Sequence, residues 1–600
     1  MSTTLFYFHK IQKQITIDHC LALSITFITF FVFSPAINYD FVWDDASYLL
    51  NDAAHLSPDF ISNALTQPFL SSYYRPIPTL WIYAEAHYTS ASTVWMHTTS
   101  IMFHAFNTFL ICIISINIVK RYSLNKTSKS ILILVAGLFF GLHPATIESA
   151  AWISGRFDLL LTSFLLLALY ADTTIIKAST KALTVGFCFF MAALCKEMAL
   201  GFALMLPFWH LLTLNRKLKL NISTSRSFLS SPELKTYCSI FLFGLLYLVI
   251  RYKTTGFNFS NVAASISLFD HSMLVLKAIG IYFRAILLPF INLSPTHHQD
   301  FPIPVTDITS WSVVLLLSII IILHFSLKTH KLTYFILAIA ASLLPVVHII
   351  PLTIAGNIVH DRFLLFPIVV FTLLSLTLVA QNYQHISTRS RIMGTLLAAI
   401  LLTVNTINTN ITLPLWKSDL ALWSWATKVD PKSGIAKLNY VISLCNAGMP
   451  DEALPLINEH IDSFSESEKS ANIILTKAIC LEKSENFKIA EDTFMLALEY
   501  KIMNKEEYAR ILRGIARTQL KRNKLDDIEH LLDKSQSLAP YTHATYYNYY
   551  LYYVATNEKQ LAIEKINIAI TLATTKAQQD YYREVKQDFI DTPSMNSPSK

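Results

Sequence analysis

Twelve apolar stretches with few charges follow one another between residues 21 and 413. They lie at about 21–37, 94–119, 130–147, 157–176, 182–195, 198–214, 236–251, 272–290, 310–327, 332–351, 363–380 and 392–413. Hydrocarbon cannot satisfy a bare peptide group, so such a series is expected to fold as helices that cross or lie on a membrane. The composition agrees: 53% of residues are hydrophobic and 15% charged, where a soluble domain carries about a quarter charged. The net charge of +7 is scattered between apolar stretches rather than gathered on one face, which excludes nucleic acid as a partner. The seven cysteines lie singly with no CxxC pair, so neither a zinc site nor a disulfide framework is expected.

The basic residues read as topology signals. Lys10 and Lys13 put residues 1–20 in the cytoplasm, and no small-residue cleavage site follows Ile37, so 21–37 is expected to be a retained first span. Lys120, Arg121, Lys126 and Lys129, then Lys177 and Lys181, then Arg216, Lys217 and Lys219 mark further inner loops. Lys328, Lys331, Arg389 and Arg391 also fall inside only if one stretch does not cross. The one at 272–290 carries Lys277 and Arg284, seven residues apart on one helical face, which suits a helix in the interface. About eleven spans then fill 21–413, and the C-terminal part lies outside.

After Pro414 the chain becomes charged and amphipathic, and a repeat of roughly 34 to 38 residues sets in. A turn residue is followed five positions later by a small or apolar one: Gly448 and Ala453, Glu485 and Ala490, Asn523 and Ile528, Asn557 and Ala562. That is the tetratricopeptide period, giving about four repeats over 414–584 and an all-α solenoid after an all-α membrane domain. The tyrosine-rich run Tyr541 to Tyr553 reads as packing between helices or as a contact strip, and residues 585–600, with Pro593 and Pro598, as a disordered tail.

With this topology Asp44, Asp45, Arg75, His143, Glu148, Arg156, Asp158, Lys196, Glu197, His360, Asp361 and Arg362 all fall on the outer side. Each has a plain alternative: Arg75 as an interfacial anchor, His143 as a helix-end residue, Arg156 and Asp158 as partners of one another. Lys196 and Glu197 interrupt an apolar run with no room for a real loop, and charge at membrane depth is expensive and usually functional. Acids beside membrane-level bases suit a lipid-linked phosphosugar, whose phosphate meets cations while a carboxylate deprotonates an incoming hydroxyl.

The segments Tyr74-Arg75-Pro76, His143 through Asp158 (HPATIESAAWISGRFD), Cys195-Lys196-Glu197, Asn292-Leu293-Ser294-Pro295 and Asp361-Arg362-Phe363 occur in the order seen in the transmembrane and tetratricopeptide-repeat O-mannosyltransferases. From about residue 38 into the repeats the chain resembles that family and its bacterial relatives. The resemblance implies a GT-C fold and an inverting glycosyltransferase that uses a polyprenyl-phosphate sugar and a protein or glycan hydroxyl, the repeats holding the acceptor. It implies Asp44 as base, with Asp45 orienting the acceptor or a divalent cation. Arg75, Arg156, Lys196 and Arg362 would meet the donor phosphate, and His143, Glu148, Asp158, Glu197 and Asp361 would shape the pocket. It also implies a multi-pass protein of a bacterial inner membrane with periplasmic repeats. Cys195 stands where a small residue, often serine, commonly precedes the lysine, and the repeats are fewer and weaker than in eukaryotic members, which puts a cadherin-like acceptor out of reach. Two other readings fit the same residues: a membrane-anchored repeat scaffold with an inactive transferase half, and a transporter of a lipid-linked sugar.

Overall fold

A computed structural model describes residues 17–45, 59–68, 73–213, 232–256, 267–290, 293–327, 330–349, 357–462, 470–502, 504–573 and 576–591. The regular elements among them are helices, and His298 and Asn357 form an isolated antiparallel bridge. The chain divides into two compact units, Met1–Tyr39, Ala64–Leu80 and His97–Lys417 in one, and Asp40–Asn63, Trp81–Met96 and Ser418–Lys600 in the other. The cut after Lys417 lies close to the expected end of the membrane half. Two earlier segments, one of them carrying Asp44 and Asp45, group instead with the C-terminal helices.

In the first unit, which takes α2 from His97 onward, the helices are α1 (Ile17–Phe33), α2 (Thr93–Val119), α3 (Lys126–Gly141), α4 (Ile147–Ala151), α5 (Arg156–Thr174), α6 (Ala178–Cys195) and α7 (Leu200–Thr213). They are followed by α8 (Pro232–Thr255), α9 (Leu268–Leu287), α10 (Ile308–Leu327), α11 (His330–Leu343), α12 (Leu365–Asn382) and α13 (Thr388–Thr412). Seven of them, α1, α2, α5, α6, α8, α12 and α13, are long and apolar enough to cross a membrane, and α3 with the segment through α4, bent by 47°, is apolar enough to be an eighth, as a broken span or a re-entrant loop. The shorter apolar helices around α7, α10 and α11 occupy the places of the three remaining expected spans. This is the architecture of an integral, multi-pass membrane protein.

The surface supports that assignment. α5 and α12 are central, each 78% buried over its apolar window, whereas α13 is only 11% buried and turns Ile392, Leu396, Leu397 and Ile400 outward. A water-facing helix would not carry so continuous an apolar face, while lipid accepts it. By contrast α9 is amphipathic. Met273, Leu274, Ala278, Ile281, Tyr282, Ala285 and Ile286 form its one buried face, and Lys277 pairs with Asp307 at 2.9 Å.

The second unit stacks α14 (Asp419–Val429), α15 (Gly434–Asn446), α16 (Pro450–Asp462), α17 (Ala471–Lys483), α18 (Phe487–Ala497), α19 (Lys505–Lys521), α20 (Ile528–Leu538), α21 (His543–Ala555), α22 (Lys559–Leu572) and α23 (Lys576–Asp591). The four expected turn residues all adopt left-handed backbone: Gly448 at φ 79°, Glu485 at 63°, Asn523 at 57° and Asn557 at 63°. Such a residue ends one helix and swings the chain back along it. Five positions on, Ala453, Ala490, Ile528 and Ala562 are fully buried where the paired helices meet. The four turns therefore bound helical repeats, with the expected period.

The tyrosine run is mostly packing. Tyr546, Tyr549, Tyr550 and Tyr553 are buried, Tyr549 donates to Asp533 and Tyr553 to Glu529, and Tyr541 is exposed. α23 continues to Asp591, past the expected start of a disordered tail, and residues 592–600 lie outside the described residues. The expectation of no disulfide needs correcting at one pair: Cys445 and Cys480 are bonded, with Cα atoms 5.3 Å apart. Their separation of 35 residues is close to one repeat period, which sets them side by side on the stacked helices α15 and α17.

Candidate functional site

The segment from His143 to Asp158 builds the centre of the first unit by breaking a helix. His143 precedes Pro144, which disfavours helical backbone at residue 143, and His143 is extended at φ −74° and ψ 123°. Its imidazole Nδ1 accepts from the Ala145 N–H and its Nε2 lies 3.1 Å from the Ile286 carbonyl oxygen. These contacts make His143 a fully buried helix-end residue that fixes the bend. A few residues on, the chain folds back so tightly that a Cβ on Gly155 would stand 2.6 Å from the Glu148 carbonyl oxygen. Only glycine permits that approach, and it sets Glu148 and Trp152 beside the start of α5.

Three cations gather around this fold, each with a carboxylate. Lys196 Nζ lies 2.6 and 2.7 Å from the two oxygens of Asp158, with both side chains buried. Arg75, just ahead of the helix Pro76–Thr89, donates through Nε and Nη2 to Glu197 at 3.3 and 3.0 Å. Arg362 donates to Glu148 through its guanidinium and, at 3.1 Å, through its backbone N–H. Its guanidinium also stacks on Trp152 at 4.8 Å. Lys196 and Arg362 face the same Phe363 ring, at 4.5 and 5.0 Å, and Arg75 and Arg362 both lie close enough to Lys196 for their charges to interact.

Lys196 and Glu197 occupy a true break. α6 ends at Cys195, Lys196 is extended at φ −166°, and a single 3-10 turn, Glu197–Ala199, leads into α7. The break sends the two side chains apart, so Lys196 meets Asp158 and Glu197 meets Arg75, with Arg251 at 3.8 Å from the same carboxylate. Asp361 accepts from the Ser294 N–H at 3.2 Å and lies 3.5 Å from His297, which joins the Ser294-Pro295 segment to the start of α12. Asn292 lies outside the described residues. Arg156 is fully buried and donates to Ser100 at 3.2 Å. Asp158, for its part, holds Lys196.

Asp44 and Asp45 belong to the second unit. Trp43 and Asp44 form a turn in which Trp43 takes left-handed backbone, φ 56°. Asp45 is fully buried and closes the turn on itself: its N–H donates to the Val42 carbonyl, and its carboxylate accepts from the Val42 N–H at 3.3 Å. Asp44 is half-buried. A residue that sequence reasoning missed, Asp419 at the start of α14, accepts from the Trp43 N–H at 2.7 Å and from the Trp423 indole at 3.3 Å. Burial pushes the Asp419 carboxyl above the usual aspartate range against the pull of those two donors, and nearby Asp44 and Asp40 push the same way. Among the described residues no group of three or more His, Cys, Asp or Glu side chains is disposed to hold a metal ion.

No protein-family model matches the chain. Over 423 residues, however, it is 24% identical to the protein O-mannosyl-transferase F38B6.6 of Caenorhabditis elegans, a match covering 67% of this chain and 56% of that protein. The chain thus spans little more than half the length of that relative. To the all-α, multi-pass architecture the match adds a distant sequence similarity to a sugar-transferring protein.

Proposed function

We propose that the chain is an integral membrane glycosyltransferase of GT-C type that moves a sugar, mannose in the first instance, from a polyprenyl phosphate to a hydroxyl of a protein or glycan. The observation that carries this reading is the gathering of Arg75, Lys196 and Arg362 around the His143 to Asp158 fold. When the anomeric bond breaks, the departing polyprenyl phosphate gains charge. Preorganised cations stabilise that charge most where water is excluded. Their carboxylate partners hold the cations still before donor arrives. In the reaction the acceptor oxygen bonds to the anomeric carbon, the bond to phosphate breaks, and the acceptor proton passes to a base, for which Asp44 is the reading. Inversion follows from a single displacement.

The helical repeats are read as tetratricopeptide-like and as the acceptor-holding part. Their disulfide supports a non-cytoplasmic, oxidising location, in keeping with the positive-inside pattern. The decisive experiment uses full-length protein in lipid nanodiscs with polyprenyl-phosphate mannose and a hydroxyl acceptor. Wild type should consume the donor, and Asp44→Asn should lose about a hundred- to ten-thousand-fold in rate while still binding it. No consumption of any polyprenyl-phosphate sugar by wild type sinks the transferase reading. Near-normal turnover by Asp44→Asn moves the base elsewhere, with Asp45 next.

A further inference from the structure

We propose that Asp419 is a positioning residue for sugar transfer, because its carboxylate fixes the turn that carries Asp44. This rests on the reading of Asp44 as the base. Trp43, one residue before Asp44, sits at φ 56°, a conformation a bulky residue holds only when its surroundings over-determine it. Two constraints do so. The Trp43 N–H donates to Asp419 Oδ1 at 2.7 Å, and the Trp43 ring meets the buried Trp423 ring edge-on with centroids 5.2 Å apart. The same Oδ1 accepts from the Trp423 indole at 3.3 Å, so a single oxygen ties backbone and ring anchor together. On the other side of Asp44, Asp45 closes the turn through the Val42 N–H. Asp44 is thus clamped on both sides.

Asp419 is itself well fixed. It opens α14, where the Ser418 side chain caps the helix by accepting from the Ala421 N–H. The first helix after the last span therefore serves the chemistry, not acceptor binding alone. Cutting the chain at Pro414, the natural place to separate a membrane domain from its repeats, would remove the anchor along with the repeats.

The test compares Asp419→Ala, Asp419→Ser, Asp419→Asn and Asp44→Asn in the full-length protein, reading kcat, the donor KM and amide hydrogen exchange over residues 41–45. Loss of the anchor should lower kcat about tenfold to a hundredfold with the donor KM little changed, since small misplacements of a reacting group have that effect. Exchange at residues 41–45 should rise in parallel. Asp419→Asn keeps an acceptor oxygen and should retain most of the rate and the slow exchange. Asp419→Ser, whose hydroxyl falls short of Trp43, should behave like alanine and stands in for it if alanine does not fold. Wild-type kcat and exchange in the alanine or serine variant, or an asparagine variant as slow as alanine, overturns the proposal. An active Asp44→Asn would instead overturn the base assignment, and the exchange data would still decide whether Asp419 holds the turn.

Discussion

Removing Lys196 should first of all damage the fold, because of what it leaves behind. Its ammonium sits 2.6 and 2.7 Å from the two oxygens of Asp158, and the side chains are only 8% and 2% exposed. Lys196→Ala strands a buried carboxylate, and Asp158→Leu strands a buried ammonium; each should cost about 3–5 kcal/mol. The double variant Lys196→Met/Asp158→Leu removes both charges and should recover most of that loss, since a buried pair is often replaced by apolar groups at little cost. The coupling in the cycle should then exceed about 3 kcal/mol, at the top of the range for contacting residues. Reversible unfolding in mixed micelles measures the stabilities, and donor turnover per folded molecule separates fold from function. The double variant should be folded yet poor in transfer, because one of the three cations is gone. Additive single effects, within about 0.5 kcal/mol, would refute the buried pair and return Lys196 to a solvated role.

Other outcomes follow from particular residues. Replacing both Cys445 and Cys480 by serine should destabilise the repeats by about 2–4 kcal/mol, read by chemical unfolding, and thiol labelling without reductant should miss both in the native protein. Reporter fusions after Ser326, Val379 and Asp430 should read inside, inside and outside; a cytoplasmic signal after Asp430 contradicts an oxidised pair in the repeats. Gly448→Val forces a β-branched residue into left-handed backbone and should cost about 1–2 kcal/mol, whereas Glu485→Gly should be neutral or stabilising; equal effects at the two turns would argue against the repeat geometry.

What was legible in the sequence was whatever is periodic or local. The turns at Gly448, Glu485, Asn523 and Asn557 announced themselves through their partners five residues on, and the spans through runs of apolar residues. The pairing of charges was not legible, because it is set by how helices pack. Arg75 finds its carboxylate 122 residues away, Arg362 at a separation of 214 and Trp43 at 376. Even adjacent residues part: Lys196 points to Asp158 and Glu197 to Arg75 because the chain breaks between two helices. The disulfide had a usable signal, two cysteines about one repeat apart, but only once the repeat itself was trusted. Asp419 carried none, since a lone acid at a helix start is ordinary capping chemistry.

The pairing also changes what the charged motif means. A buried cation is costly unless a carboxylate or other acceptor lies against it, so Glu148, Asp158 and Glu197 serve Arg362, Lys196 and Arg75 whether or not they touch substrate. Their presence in the motif is explained by folding alone. The cations are different: apolar side chains would pack the same space with less penalty, and setting Lys196 and Arg362, with their carboxylates, against one Phe363 ring has no stability rationale. On the proposed reading, cations held in place by acids are what a leaving phosphate needs. Substituting each acid by its amide should therefore weaken the fold more than the chemistry, while substituting each cation together with its acid should do the reverse.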